Sequence, residues 1–167
     1  MPLRLLFKHV RDSAVTTGSS DLESLYRERG DALWWSVLAF TGDRSVADDA
    51  VAEAFAQALR RGQAIRAPER WIWRAAFCIA GGMLKDRRTM TALQVERVYE
   101  MPEPVVDLLR ARGKLSPKQR ASVILHHLEG YPVKEIATIL ASTSAAVRVH
   151  LSSGRKRLRE LLGDADA

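Results

Sequence analysis

The residues best suited to chemistry in this sequence are cations and tryptophans, and they do not form a catalytic set. Ser144, Arg148, Ser152 and Arg155 recur at helical spacing, with Lys156, Arg157 and Arg159 close behind. On one face of a helix such groups can reach base edges and phosphates, because guanidinium, ammonium and hydroxyl groups match those acceptors. Trp71 and Trp73 stand beside Arg70 and Arg74, just after Arg60, Arg61 and Arg66. Indole rings give exposed bases a stacking platform, and neighbouring cations hold the phosphates of an opened strand. Trp71 shares a stripe with Ala75 and Ile79 and is expected in the core, whereas Trp73 points elsewhere and is the stacking candidate. Enzymatic arrangements are weaker. His126-His127 and Asp48-Asp49 are adjacent pairs, and a helix points neighbours about 100° apart, so neither pair converges easily on one metal or proton. With no Gly-rich phosphate loop and no metal-spaced cluster, no catalytic residue, metal, cofactor or small-molecule substrate is expected.

The elements that must position these groups read as helices throughout. Leu22, Leu25, Tyr26, Leu33, Val37 and Phe40 recur at helical spacing across a tolerated Gly30, after a flexible lead-in Thr16–Ser20. Thr41-Gly42-Asp43 ends that helix. Ser45 with Asp48 resembles a capping box, and Ala47, Ala50, Val51, Ala54, Phe55 and Ala58 form the next stripe. Residues 60–67 read as a basic loop, and Pro68 suits the first turn of a third helix that runs towards Lys85, Arg87 and Arg88. Periodicity fades between Thr89 and Pro104, where a linker is expected, with a loose helical turn over Leu93–Tyr99. Ser116-Pro117-Lys118-Gln119 then supplies an N-cap, a first-turn proline and a capping-box glutamine. Gly130 stops that helix. A short helix over Val133–Leu140, a tight connection Ala141-Ser142-Thr143 and a longer helix to Leu162 make a helix-turn-helix. Thr143 is its expected cap. His127 is expected at the edge of the core and His126 on the surface. The fold class is therefore all-α, with two small helical domains at 21–88 and 105–162, a linker at 89–104, and tails at 1–20 and 163–167.

Charge divides along the same line. Residues 108–162 hold eleven Lys/Arg against three acids, whereas residues 21–61 hold eight acids against five Lys/Arg. The C-terminal half is the nucleic-acid candidate, and the acidic segment is expected to meet something else. The one cysteine, Cys78, allows no intrachain disulfide and fits a reducing cytoplasm. No apolar run approaches the roughly 20 residues of a membrane span, so no membrane insertion is expected. Met1–Val10 is too short and interrupted for a signal-peptide core and reads as a frayed tail.

The order of these features resembles the extracytoplasmic-function group of the sigma-70 family of bacterial RNA polymerase sigma factors. The stretch from Leu25-Tyr26 to Leu33 is similar to that family's opening helix. Residues 47–55, Ala-Asp-Asp-Ala-Val-Ala-Glu-Ala-Phe, resemble its polymerase-binding motif. Trp71-Ile72-Trp73-Arg74-Ala75-Ala76 resembles the promoter-opening helix. The stretch from Leu115 to Leu158, including Glu135-Ile136-Ala137 and Val147-Arg148, resembles the domain that reads the −35 element. The resemblance spans most of residues 22–162.

What it implies is specific. Asp48, Asp49, Glu53 and Phe55 would bind core RNA polymerase, by docking on the coiled coil of its largest subunit. Arg60, Arg61, Arg66, Trp73, Arg74, Lys85, Arg87 and Arg88 would serve the −10 element and its opened strand. Ser144, Arg148, Ser152, Arg155, Lys156 and Arg157 would meet the −35 element. The implied partners are bacterial core polymerase and promoter DNA, and an anti-sigma factor is left open as a third. The sequence also departs from the family pattern. Ala52 stands where the docking motif usually has Gln, Cys78 and Gly82 where Asn and Asp follow the tryptophan helix, and Pro132 where Ser commonly caps the short helix. Residues 145–150, Ala-Ala-Val-Arg-Val-His, replace the common Gly-Thr-Val-Lys-Ser-Arg. Two other readings stay open at this point: a helix-turn-helix regulator that never meets polymerase, and a degenerate sigma-like protein that binds without initiating.

Overall fold

In the computed structural model, residues 17–87, 102–111 and 114–162 are described, and all regular structure among them is helical. Helix α1 spans Thr17–Thr41, α2 Arg44–Arg61 and α3 Pro68–Arg87, with a 3-10 turn at Gly62–Ala64. Helix α4 spans Glu103–Arg110, α5 Pro117–Val123 with a π turn continuing over Ile124–Leu128, α6 Val133–Ile139 and α7 Ser144–Leu162. The expected linker centre with its helical turn, residues 1–16 of the N-terminal tail, the C-terminal tail and Arg88 lie outside the described residues.

Local chemistry explains most boundaries. Gly42 closes α1 in the left-handed region, at φ 69, which a glycine adopts without a Cβ clash. The cap of α2 is Asp43, whose Oδ1 accepts from the Val46 amide at 3.1 Å. The expected Ser45–Asp48 box is therefore corrected: the helix already begins at Arg44, because Asp43 reaches the free amide first. Helical structure also begins earlier than expected, at Thr17. Arg60 and Arg61 belong to the last turn of α2, so the basic loop is shorter than the sequence suggests. At α5 the expected reciprocal cap is present: the Gln119 amide donates to Ser116 Oγ at 3.3 Å, and the Ser116 amide donates to Gln119 Oε1 at 3.0 Å.

Helices α1, α2 and α3 pack on one another, and α5, the π turn, α6 and α7 form a second group around Val123, Ile124, Ile136, Val147 and Leu151, while α4 lies against α1. The two groups are not held apart. Helix α1 contacts α4, α5 and the π turn, α3 contacts α6, and the buried apolar residues of both groups join in one cluster. Arg120 of α5 is buried with its guanidinium 5.3 Å from the Phe40 ring centroid on α1, a placement that trades hydration for an aromatic face. The joint closes over Trp73.

Candidate nucleic-acid interface

The helix-turn-helix is built from its buried side outward. Ile136, Ala137 and Ile139 of α6 face Val147 and Leu151 of α7. The connection turns at Ala141, whose φ of 48 is left-handed, a costly conformation for a residue with a Cβ. Two amides hold it: Ser142 donates to Ala137 O at 2.8 Å and Ala141 to Thr138 O at 3.3 Å. The Ala146 amide donates to Thr143 Oγ1 at 3.1 Å, so Thr143 caps α7 as expected. Further along, Gly154 brings α7 against α5: a Cβ there would lie 2.8 Å from Val123 Cγ2.

This packing leaves the opposite side of α7 in solvent. Arg148, Ser152, Arg155, Lys156 and Arg157 are exposed, and Ser144 is half-buried. No ion pair among the described residues engages these cations, and α7 carries no acid before Glu160. The arrangement is a cationic, hydrogen-bonding ridge free to enter a groove.

The acidic helix is less uniform than the sequence implied. Asp49 is exposed, but Asp48 Oδ1 accepts the Trp34 indole N–H at 2.7 Å. Glu53 accepts from Gln57 at 2.9 Å and from Arg60 at 2.8 Å, and these bonds hold its carboxyl below the usual range. Phe55 corrects the expectation of a docking side chain. It is 1% exposed and meets Tyr26 edge-on, with centroids 5.1 Å apart. It supports the helix from beneath, on the same stripe as Val51 and Ala58.

The tryptophan helix also requires a correction. Its buried stripe is Ile72, Trp73, Ala76, Phe77 and Ala80, one position away from the stripe through Trp71. Trp73 is 1% exposed, stacked near Phe77 at 6.3 Å and meeting Tyr131 of the second group at 5.5 Å and 70°. Trp71 is the half-exposed indole, with the Arg61 guanidinium 5.2 Å from its ring. Arg60, Arg61, Arg66, Arg74 and Lys85 are all exposed, as are Cys78 and Gly82. Arg87 ends α3, and no placement of its side chain is described.

A polar cluster surrounds Trp73 at the joint, and no local sequence signal pointed to it. Glu69 Oε1 accepts from Arg29 Nε at 3.2 Å and from the Tyr131 hydroxyl at 2.9 Å. Glu129 accepts from Ser36 Oγ at 2.6 Å and from Arg29 Nη2 at 3.4 Å, while the Arg29 guanidinium lies 5.8 Å from the Trp73 ring. With its side chain 6% exposed, Glu129 is pushed above the usual carboxyl range by burial, against the opposing effects of Ser36 and Arg29. Burial and donation to Glu69 likewise raise the Tyr131 phenol. Partners separated by 62, 93 and 100 residues meet here, which explains their invisibility to any short pattern.

The histidines reverse expectation. His127 is exposed, though partial burial and then the charges of His126 and Arg155 hold its imidazole below the ordinary value. His126 is half-buried, with Nδ1 3.0 Å from Tyr131 O. Among the described residues no three His, Cys, Asp or Glu side chains converge as a metal site.

The geometry defines a class, a two-domain all-helical protein with a solvent-facing helix-turn-helix, and comparisons with known proteins narrow it. Residues 106–158 match the model of sigma-70 region 4. The chain is 26% identical over 156 residues to the ECF RNA polymerase sigma factor SigE of Mycolicibacterium smegmatis, covering 84% of this chain and 61% of that protein. Its fold is similar to that of the sigma factor RpoE of Bartonella quintana in complex with the anti-sigma factor NepR. That match has a TM-score of 0.73 and 19% identity, and covers 87% of this chain and 99% of the other. CnrH in complex with the cytosolic domain of CnrY matches with a TM-score of 0.67 and 20% identity over the whole of both chains. The chain is thus similar to extracytoplasmic-function sigma factors of the sigma-70 family in sequence and in fold. It spans about three fifths of the length of the curated SigE relative, 61%. No described helix is long and apolar enough to cross a membrane.

Proposed function

We propose that this chain is a sigma factor, binding core RNA polymerase and directing transcription initiation by reading −35 and −10 promoter elements. The observation that carries this reading is the solvent-facing basic ridge of α7, joined to a second helical unit within a sigma-like fold. In this reading residues 105–162 read the upstream element, with Arg148 and Ser152 at base edges and Lys156 and Arg157 on phosphates. Residues 21–88 dock on polymerase, with Asp49 as the exposed acid of α2. Arg60, Arg61, Arg66, Arg74 and Lys85 hold the opened strand, and Trp71 is the indole accessible to a base. Trp73 lies beneath Tyr131, so for Trp73 to meet DNA the two units must first separate. Binding to polymerase would supply the free energy for that separation. An anti-sigma factor would favour one arrangement of the units over the other, and the NepR-bound relative supports a partner of this kind. The protein needs no covalent step for any of this.

A second reading rests on Cys78 and Gly82, exposed on α3 where the family has Asn and Asp: a sigma-like protein that binds polymerase but opens DNA poorly. One experiment separates the two. Full chain and core polymerase are tested for association, and the complex for permanganate-reactive thymines on the promoter it selects. Association with reactive thymines is expected. Association without them favours the second reading, and absence of association overturns both.

A further inference from the structure

Val149 is a β-branched apolar residue 62% exposed on a helix otherwise lined by cations. It takes no part in the hydrophobic cluster, either as a buried member or as a residue packed against it. At 100° per residue it lies about 200° around the helix from Val147, nearly opposite the face that α7 buries. Ala145, one turn earlier, is also exposed and shares that direction, as do Ser152 and Lys156. Two apolar side chains therefore form the crest of the ridge, with Arg148 and Arg155 on one side and Arg157 on the other, and α7 carries no acid before Glu160.

We infer that Val149, with Ala145 beside it, reads the C5-methyl group of a pyrimidine in the major groove. The inference rests on the DNA-binding reading of α7 and adds which chemical group its crest recognises. A thymine presents one acceptor and one methyl at the groove edge, and apolar side chains discriminate it by contact with that methyl. Arg148 cannot do this, because a guanidinium beside a methyl loses water without gaining an acceptor. The charge of the surroundings favours a polyanion over a protein surface as the occupant of this crest. Methyl contact also distinguishes this helix from a purely hydrogen-bonding one: the preference it creates vanishes when only the methyl is removed. The same methyl can come from thymine or from 5-methylcytosine.

The test uses full chain assembled on core polymerase. A random duplex library first identifies the selected upstream element. Each thymine in that element is then replaced singly by deoxyuridine, and each cytosine singly by 5-methyl-dC. At one or two thymines, loss of the methyl is expected to weaken binding about fourfold, the effect of exposing one methyl-sized group. An effect confined to the 5-methyl-dC duplexes would identify methylated cytosine as the source and support the same contact. Val149→Ser should abolish the difference while leaving the protein folded, since Val149 supports nothing beneath it. Val149→Thr, which keeps a methyl, should retain it. Equal affinity for every methylated and unmethylated pair would overturn the inference while leaving DNA binding intact. So would a Val149→Ser protein that keeps the thymine preference, or one that loses only a protein partner. Failure to enrich any sequence would overturn the DNA reading and the inference together.

Discussion

The two nucleic-acid candidates of this chain are held in opposite states. Helix α7 turns its cations outward, with no ion pair among the described residues holding them back, whereas the indole of Trp73 on α3 is closed beneath Tyr131. Physical chemistry explains the asymmetry. A cationic ridge gains nothing from burial, because desolvating unpaired charge is costly. An indole gains a great deal, roughly 3 kcal/mol for a large apolar side chain removed from water. Two small helical units linked in one chain therefore close over their apolar face and leave the charged one open. Under the proposed function, α7 is open to duplex DNA in this closed form, whereas Trp73 is not exposed.

The largest expected effect breaks the closed side of this comparison. Trp73→Ala should cost roughly 3–5 kcal/mol of stability, the usual range for a large buried aromatic, measured by denaturant unfolding. Trp71→Ala should cost less than half of that and instead reduce affinity for a pre-opened promoter by about 1–3 kcal/mol. Equal stability losses in the two variants would contradict the assignment of the buried stripe.

The next effect lies on the open side, at the packing beneath the ridge. Gly154→Ala places a Cβ 2.8 Å from the stiff, buried Val123 Cγ2 and should destabilise by about 1–3 kcal/mol through overpacking. Gly82→Ala meets nothing within 4 Å on α3 and should stabilise by up to about 1 kcal/mol through helix propensity. Opposite signs for the same substitution on two helices are the result to look for in thermal unfolding.

Smaller again is the joint itself. Glu129→Ala removes the acceptor of the Ser36 hydroxyl and one partner of Arg29, and should weaken closure by about 1–2 kcal/mol. Small-angle scattering should then report a larger radius, while duplex affinity of α7 stays unchanged. The smallest effect is the pH dependence. Because burial raises Glu129 above its ordinary value, its protonated form favours the folded, closed state. That contribution is complete below the ordinary carboxyl range and is lost as pH rises through the raised value. The stability difference between the native chain and Glu129→Gln should therefore move towards the native chain as pH falls through that window. Glu53, held low by Gln57 and Arg60, shifts in the other direction; comparison with the Gln variant cancels it.

How much of this was legible in the sequence depends on how far apart the interacting residues are. The Ser116 box, the Thr143 cap and the Pro68 start act over three residues or fewer, and each appears where it was read. The α2 cap was misplaced by two positions, because Asp43 and Ser45 are both competent acceptors and only backbone geometry decides between them. Trp71 and Trp73 both sit at helical spacing from apolar neighbours, so periodicity could not separate them. The decision belongs to Tyr131, on the other helical group. Phe55 was read as a docking residue from the resemblance alone, though its own stripe with Val51 and Ala58 already marked the core face. The cap, the buried stripe and the exposed cations of α7 were legible because each depends on residues within the helix-turn-helix itself. The joint was not, since Arg29, Ser36, Glu69, Glu129 and Tyr131 make a cluster only after folding.

The most direct test of the central claim is sequence selection by the assembled complex. Full chain is mixed with bacterial core polymerase and a random duplex library, and the DNA retained with polymerase is sequenced, for the native chain and for Arg148→Ala. The account predicts two short enriched elements at a fixed separation. Arg148→Ala should flatten one position of the upstream element by about 1–3 kcal/mol of discrimination and leave the downstream element untouched. Retention of DNA with no enriched element, or equal weakening at every position in the variant, would contradict it.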